Sequence, residues 1–140
     1  MGELLNRILS SENLRSAYER VVTNKGAAGS DGMRVEELKS HLQTNWKKIE
    51  EQIKTGKYKP SPVKRVEIPK GTGGVRKLGI PNVTDRFVQQ AIAQELSKEY
   101  ESTFSQYSYG FRPKRSAHDA VRQAEIYINE GNGYVVEIDL

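Results

Sequence analysis

Cysteine is absent from this 140-residue chain, and its absence excludes several kinds of chemistry. A disulfide framework, a zinc–thiolate site and a thiol nucleophile all require cysteine. No run approaches the roughly 20 consecutive apolar residues of a membrane helix. The N-terminus also lacks the basic segment and apolar run of a secretory signal. We therefore expect a cytoplasmic protein without a membrane partner.

Apolar residues are scarce as well. The hydrophobic fraction is 36%, the aromatic fraction is 8% and the mean hydropathy is −0.70. A core can form from this composition, but it will be small for a chain of single-domain length. We expect one compact unit or a piece of a larger one.

Positive charge is concentrated in one segment. The chain has a formal charge of +4, yet residues 54–77 hold eight cations and a single anion, Glu67, which gives this segment +7. A local basic patch of this kind is typical of a surface that binds phosphate, in a nucleic acid or a nucleotide. For an arbitrary patch, a solvated lysine-rich surface is at least as common.

The sequence "VEIPKGTGGVRKLGIP", residues 66–81, predicts an antiparallel β-hairpin within this patch. Two short β-like runs flank glycines that supply the turn, and prolines restrict the strands to short or edge positions. Lys70 and Arg76 stand on opposite arms, so pairing would bring them near one phosphate group, which arginine grips with two hydrogen bonds. The alternative, a glycine-rich tip with solvated cations, stays open.

Apolar residues at helical spacing predict four helices. The first spans about 12–24 after a cap at Ser11, and the second runs from Val35 to Gly56 with a break near residues 44 and 45. The third follows Thr84 to about residue 101. The fourth begins after Ser116, with Asp119 completing a capping box, and stops at Gly131. "YVVEIDL", residues 134–140, then predicts a β-strand.

This last strand has no turn after it. A buried strand needs neighbours on its edges, and the rest of the chain offers only the short hairpin. We therefore expect an N-terminal fragment, or a chain whose partner strands come from elsewhere. Exposed apolar surface would then favour self-association as a homodimer.

"YSYGFRPKRS", residues 107–116, alternates aromatic and basic side chains. Aromatic rings can stack on bases while cations contact backbone phosphates. The alternative is structural: Tyr109 and Phe111 pack inward, which we favour for these two, and Arg112 braces the loop through a salt bridge. Lys114 and Arg115, at the entry of a helix, are candidates for contacts with a phosphate backbone.

Asp139 is a candidate metal ligand. Glu137 lies on the same face of the predicted strand, about 6 to 7 Å away. Mg²⁺ binds through one or two carboxylates together with substrate phosphates. The alternative is an aspartate at the end of a strand that pairs with a nearby cation.

Four segments, taken together, resemble a known family. "NLRSAYERVVTNKGAAGSDGM", "YKPSPVKRVEIPKGTGGVRKLGIPNVTDRFVQQAI", "FSQYSYGFRPKRSAHDAV" and "YVVEIDL" are similar, in this order, to the reverse transcriptases encoded by bacterial group II introns, which also act as maturases. The resemblance implies an α+β fold: the helix-rich fingers region of a right-hand polymerase, with a short antiparallel hairpin and the first palm strand. It implies an amino-terminal extension at 1–33, fingers at 34–133 and the start of a palm at 134–140.

The resemblance also implies roles for particular residues. Lys70 and Arg76, with Lys64, match the basic residues that contact the triphosphate of the incoming nucleotide. Template or RNA contacts are implied for a larger set from the glycine-rich loop, the "LGIP" run and the aromatic–basic segment: Lys25, Gly26, Leu78, Gly79, Ile80, Pro81, Arg112, Lys114 and Arg115. Asp139 matches the first catalytic aspartate, with the Leu140 carbonyl beside it as a contact for Mg²⁺.

The sequence departs from the family in one large respect. The Tyr-x-Asp-Asp box, most of the palm, the thumb and the maturase domain are absent, and two-metal phosphoryl transfer needs a complete set of carboxylates. We therefore expect the chain alone to be inactive as an RNA-directed DNA polymerase. The implied partners are template and intron RNA, a DNA primer and deoxynucleoside triphosphates. A non-catalytic module that grips intron RNA for splicing is the alternative function.

Overall fold

Helices make up most of the regular structure. The computed structural model describes residues 2–71 and 73–138. Its helices are α1 (Glu3–Ile8), α2 (Ser11–Asn24), α3 (Leu38–Lys54), α4 (Val83–Tyr100) and α5 (Ala117–Asn129), with short 3₁₀ turns at Val35–Glu37 and Glu101–Thr103. Strands β1 (Lys64–Pro69) and β2 (Val75–Ile80) form a two-stranded antiparallel sheet. This content confirms the α+β class, and no described helix is long and apolar enough to cross a membrane.

The chain divides into two compact units, Met1–Leu96 and Ser97–Leu140. The hydrophobic core lies in the first unit, where α2, α3 and α4 bury one face each. Trp46 of α3 meets Phe87 of α4 edge to face, with ring centroids 5.6 Å apart. The buried apolar side chains are Ile8, Ala17, Val21, Val35, Leu38, Ile49, Val83, Phe87, Val88 and Ala91.

The helices of the first unit match the predicted spacing, with corrections at their ends. Ser10, not Ser11, caps α2, because the Ser10 side chain accepts a hydrogen bond from the Asn13 backbone. The predicted break near residues 44 and 45 is wrong, since α3 runs through both. Thr84 is not a cap but lies inside α4, which begins at Val83. One buried apolar face running through each helix explains why it continues without interruption.

The predicted hairpin is confirmed. Val66 pairs with Leu78 and Ile68 with Arg76, and the Lys70 amide donates to the Gly74 carbonyl at 3.0 Å to close the turn. Gly73 and Gly74 have φ of 91° and 83°, a conformation that glycine adopts without steric cost. Most of the strand residues are exposed, so the hairpin adds little to the core.

In the second unit, α5 begins at the predicted cap. The Ser116 side chain accepts from the Asp119 backbone, and the Asp119 carboxylate accepts from the Ser116 backbone. These hydrogen bonds to Ser116, made mainly by the side chain, lower the pKa of the exposed Asp119. Gly131 follows the helix with φ of 99°. Among the described residues 97–138, none is fully buried.

The strand predicted at residues 134–140 is wrong for the part that the structure describes. Residues 132–138 form no strand, and Tyr134 is 96% exposed. A strand is stable only beside a hydrogen-bonding neighbour, and β1 with β2 is the one ladder among the described residues. The strand prediction is therefore corrected for 134–138, while the assignment of 134–140 to the start of a palm stays a prediction. Asp139 and Leu140 lie outside the described residues.

Candidate nucleic-acid interface

The pairing register gives the hairpin two chemically different faces. Side chains alternate along each strand. The first face, called here the Arg76 face, contains Lys64, Val66, Ile68, Arg76, Leu78 and Ile80. The second, called the Lys77 face, contains Arg65, Glu67, Pro69, Val75, Lys77 and Gly79.

Lys70 and Arg76 lie together at the hairpin tip. Lys70 is the first residue after β1, where its amide donates to the Gly74 carbonyl, and both cations line one open cavity. Both are exposed, and neither forms an ion pair with a residue that the structure describes. Their long side chains can therefore converge on one anion.

The other hairpin cations are placed differently. Lys77 lies directly opposite Glu67 on the Lys77 face, where opposite charges attract across the strands. Lys64 shares the Arg76 face, but it pairs with Ile80, about 13 Å along the strand from the level of Arg76. A group held between Lys70 and Arg76 is therefore a different one from a group held at Lys64.

The "LGIP" run, Leu78 to Pro81, forms the end of β2 and its exit. Leu78 and Ile80 lie on the Arg76 face. Gly79 lies beneath Val63, because a Cβ added to Gly79 would stand 2.8 Å from Val63 Cγ2. Pro81 then connects β2 to the residue that precedes α4. The run thus presents two apolar side chains on the same face as Arg76.

The glycine-rich loop, residues 25–32, carries the predicted RNA contacts Lys25 and Gly26. Lys25 has φ of 54° and Gly26 has φ of 103°. The Arg86 guanidinium holds this bend, since Nη1 donates to the Lys25 carbonyl at 3.3 Å and Nη2 to the Ala27 carbonyl at 2.9 Å. Lys25 remains exposed beside the bend.

Asn82 holds the other end of this loop. Its Oδ1 accepts from the Ser30 backbone at 2.8 Å and from the Asp31 backbone at 3.4 Å, and the Ser30 hydroxyl lies 3.0 Å away. Asn82 is only 5% exposed. Gly29 closes directly on it, because a Cβ added to Gly29 would lie 2.2 Å from Asn82 Oδ1.

Asp85 holds the segment that leads into β1. Its carboxylate accepts from the Tyr58 hydroxyl at 2.5 Å and from the Ser61 backbone at 3.1 Å. Burial, followed by the hydrogen bond to Asp85, raises the pKa of Tyr58 above its usual range. Tyr58 therefore stays protonated and keeps donating to the buried carboxylate.

Asn82, Asp85 and Arg86, called here the α4 anchor, were missed by the sequence reasoning. Their partners are distant in sequence, and Ser30 is 52 residues from Asn82. The local signal is a group of four polar residues around Val83, in "NVTDR", between the hairpin and an apolar helix. An aspartate in the first turn of a helix is common because it complements the helix dipole, so Asp85 by itself does not indicate a tertiary contact.

In the aromatic–basic segment, residues 107–116, the Arg112 side chain bonds to neighbouring parts of the second unit. The Arg112 side chain is 7% exposed, pairs with the Glu101 carboxylate at 2.8 Å and donates to the Ser105 and Ser108 carbonyls at 2.6 and 3.0 Å. Its guanidinium also lies 5.3 Å from the Phe104 ring centroid. This geometry favours the loop-bracing alternative, so Arg112 is not among the RNA contacts that we propose.

The neighbouring residues of this segment have separate roles. Arg115 donates to the Gln106 carbonyl and lies 5.5 Å from the Tyr109 ring centroid. Lys114 is exposed with φ of 59°. The expectation that Phe111 packs inward is wrong, because the ring is fully exposed and the backbone turns outward at φ of 56°.

A metal site is not formed by the described side chains. Within residues 2–71 and 73–138, no group of three or more histidine or carboxylate side chains could hold an ion. The predicted ligands Asp139 and Leu140 lie outside these ranges. The binding of Mg²⁺ therefore stays a prediction.

Comparisons with known proteins identify relatives of the chain. Protein YkfC of Escherichia coli is 38% identical in an alignment that covers 98% of this chain and 38% of that protein. The group II intron-encoded protein LtrA of Lactococcus lactis is 38% identical over 76% of this chain and 18% of its own length. The putative COX1/OXI3 intron 2 protein of Saccharomyces cerevisiae is 35% identical over 89% of this chain and 14% of its own length. No protein-family profile matches.

These relatives define the class of protein. The chain is a homologue of intron-encoded proteins. Its own structure has a basic hairpin and a glycine-rich loop, both held by the α4 anchor. More specifically, its homologues are group II intron-encoded proteins, which match 76–99% of its length at 29–38% identity. The chain spans between 14% and 38% of the length of the three relatives described above.

Proposed function

We propose that this chain is the fingers region of a group II intron-encoded RNA-directed DNA polymerase. Residues 34–133 would form the fingers, residues 1–33 the amino-terminal extension and residues 134–140 the entry to the palm. One observation carries the proposal: exposed Lys70 and Arg76 line one open cavity at the hairpin tip, while Lys77 lies opposite the Glu67 carboxylate. The homology to group II intron-encoded proteins supports it.

The hairpin tip would bind the triphosphate of the incoming deoxynucleotide. Arg76 can hold two oxygens of one phosphate, while Lys70 acts as a point charge beside it. In the complete reaction, the primer 3′ hydroxyl attacks the α-phosphate, a bond to the nucleotide forms and pyrophosphate leaves. Mg²⁺ at Asp139 and Leu140 would supply the charge neutralisation that such a transfer needs.

Template RNA would contact other segments. Lys25 and Gly26 form an exposed basic bend in the first unit. In the second unit, Lys114 and Arg115 lie just before α5, where cations suit a phosphate backbone. Leu78 and Ile80 offer apolar surface on the Arg76 face, next to the proposed nucleotide.

A second function is favoured by the Lys77 face. Arg65 and Lys77 share that face with a single carboxylate, Glu67, so a phosphate backbone could also bind there. In this case the hairpin would grip intron RNA during splicing without selecting a nucleotide. The two functions make different demands on Lys70 and Arg76, which allows them to be separated.

Neutralising Lys70 and Arg76 separates the two functions. If they serve the nucleotide, Lys70→Gln with Arg76→Gln should weaken dATP binding about tenfold, measured by calorimetry, and leave RNA affinity nearly unchanged. If they serve RNA, affinity for single-stranded RNA should fall and the salt slope should flatten by about 0.7 per lost phosphate contact. Lys47→Gln with Arg20→Gln is the matched control, because both residues are exposed in helices of the same unit. Unchanged binding of both ligands would reject both functions.

Polymerase activity offers a further check. The 140 residues contain no Tyr-x-Asp-Asp sequence, and Asp139 alone cannot provide a two-metal carboxylate clamp. The chain by itself should therefore not extend a DNA primer on an RNA template in the presence of Mg²⁺. Nucleotide incorporation above background in a primer-extension assay would contradict this expectation.

A further inference from the structure

The α4 anchor joins two segments that the proposed function uses separately. Asn82 and Arg86 hold the glycine-rich loop through backbone groups at both ends. Asp85 holds the segment that leads into β1 through the Ser61 amide. All of these contacts lie within the first compact unit. One turn of helix therefore fixes the loop and the base of the hairpin to the same rigid element.

Both arms of the hairpin are fixed at this point. β2 ends at Ile80, and Pro81 alone separates it from Asn82. On the β1 side, the Ser30 hydroxyl lies 2.8 Å from the Pro62 carbonyl and 3.0 Å from Asn82 Oδ1. A hydroxyl has one proton, so it donates to one of these two acceptors at a time. Ser30, which belongs to the loop, therefore lies within hydrogen-bonding distance of both the β1 arm and the anchor.

Because the hairpin extends away from this base, a small rotation at the base displaces its tip. Each strand has six residues, which corresponds to a length of about 20 Å. Because most strand residues are exposed, few other contacts steady the tip. A tilt of about 5° at the base would move the tip by about 2 Å, which is enough to break the geometry of a hydrogen bond to phosphate.

We propose that Asn82 is a positioning residue that sets the orientation of the hairpin relative to the glycine-rich loop, so that one strand of RNA contacts both. This inference rests on the proposed function, because it takes RNA as the ligand. The buried Oδ1 of Asn82 accepts from the backbone amides of Ser30 and Asp31, and the Ser30 hydroxyl lies beside it. Its Cα and backbone nitrogen also lie 2.6 and 2.7 Å from a Cβ placed on Gly29, so the loop rests directly on it.

Two substitutions isolate the acceptor atom. Asn82→Leu removes the oxygen while keeping a similar volume, and Asn82→Asp keeps an acceptor in the same place. Ser30→Ala is a milder change at an exposed residue, so its folding is not at stake. Ser40→Ala is the matched control, because the Ser40 hydroxyl donates only to the nearby Glu37 carbonyl.

Orientation can be measured directly because the chain has no cysteine. Cysteines introduced at Gly71, where an added Cβ meets nothing within 4 Å, and at exposed Lys47 on α3 would carry spin labels. We expect Asn82→Leu and Ser30→Ala to broaden the distance distribution between the labels. They should also weaken the binding of a fluorescein-labelled single-stranded RNA about three- to tenfold. Asn82→Asp, which adds a negative charge, should match the unmodified protein in the distance measurement, and Ser40→Ala should match it in both measurements.

Several results would overturn the inference. The first is that Asn82→Leu and Ser30→Ala show the same distance distribution and the same RNA affinity as the unmodified protein. The second is that their distance distribution broadens while their RNA affinity is unchanged. If circular dichroism shows that Asn82→Leu does not fold, the comparison of Ser30→Ala with Ser40→Ala decides. Failure of the proposed function is seen separately, as unchanged RNA and dATP binding when Lys70 and Arg76 are neutralised.

Discussion

The α4 anchor and the hairpin tip use polar residues in opposite ways. At the anchor, Asn82 and Asp85 are buried, and each accepts hydrogen bonds from distant segments. At the tip, Lys70 and Arg76 are exposed and have no ionic partner among the described residues. Satisfied buried polar groups specify structure, whereas exposed like charges repel each other and gain from an anionic ligand. The difference indicates that the anchor determines shape and the tip determines binding.

This contrast also separates stability from affinity. Removing a buried acceptor by substitution leaves its hydrogen-bond donors without partners, which lowers the free energy of unfolding. An exposed cation contributes little to folding, since surface substitutions usually change stability by less than about 0.5 kcal/mol. Mutations at the anchor should therefore change unfolding, and mutations at the tip should change ligand binding alone.

The largest expected effect follows removal of the Asp85 carboxylate. Asp85→Ala would leave the Tyr58 hydroxyl and the Ser61 amide without their acceptor. We expect the free energy of unfolding to fall by about 2–4 kcal/mol, measured by urea denaturation. Glu51→Ala, at an exposed position of α3, is the control and should change it by less than about 0.5 kcal/mol. Equal stability of the two variants would mean that the anchor does not stabilise the fold.

A smaller effect should depend on pH through Tyr58. Burial and the hydrogen bond to Asp85 raise the pKa of Tyr58 in the folded chain, so the folded state holds its proton at a pH where the unfolded state has lost it. The resulting stabilisation is complete below the ordinary tyrosine value of about 10 and is lost as the pH rises through the folded value. Stability should therefore fall above about pH 10, with a slope of at most about 1.4 kcal/mol per pH unit, the limit for one proton. Solvent screening of this half-buried group narrows the pH range over which the fall occurs.

Tyr58→Phe provides the comparison for this pH dependence. The variant lacks the titrating hydroxyl but keeps the ring, and the other six tyrosines are the same in both proteins. The difference in free energy of unfolding between the two proteins should be constant from about pH 7 to 9 and should shrink above about pH 10. A difference that stays constant to higher pH would show that the Tyr58 proton does not stabilise the folded anchor.

The fold of the hairpin could be predicted from sequence because its determinants are local. Alternating side chains and the glycines before Val75 specify the strands and the turn, and the register confirms the antiparallel pairing. The capping box of Ser116 and Asp119 was predictable for the same reason. Each of these features depends on residues within a few positions of one another.

The anchor and the end of the chain could not be predicted in this way. The partners of Asn82 lie about 50 residues away, and no pattern near Asn82 specifies them. The β-branched run at 134–138 has high strand propensity, yet a strand also requires a paired neighbour, and the described residues provide none. For Phe111, the aromatic type favoured burial, but the ring is fully exposed on a residue with a left-handed backbone conformation.

The smallest expected effect concerns the one anion of the hairpin. Glu67 lies opposite Lys77, and a cross-strand pair of opposite charge contributes roughly 0.2–1 kcal/mol. No ion pair joins the two side chains in the described residues, but Glu67→Gln removes a negative charge beside Lys77. It should raise the affinity for single-stranded RNA about twofold and steepen the salt slope by up to about 0.7. Glu51→Gln makes the same change in net charge on exposed α3, so it controls for a general electrostatic effect. If both variants bind RNA equally well across a salt titration, the Lys77 face is not a binding surface, and RNA or nucleotide recognition by the hairpin is confined to the Arg76 face.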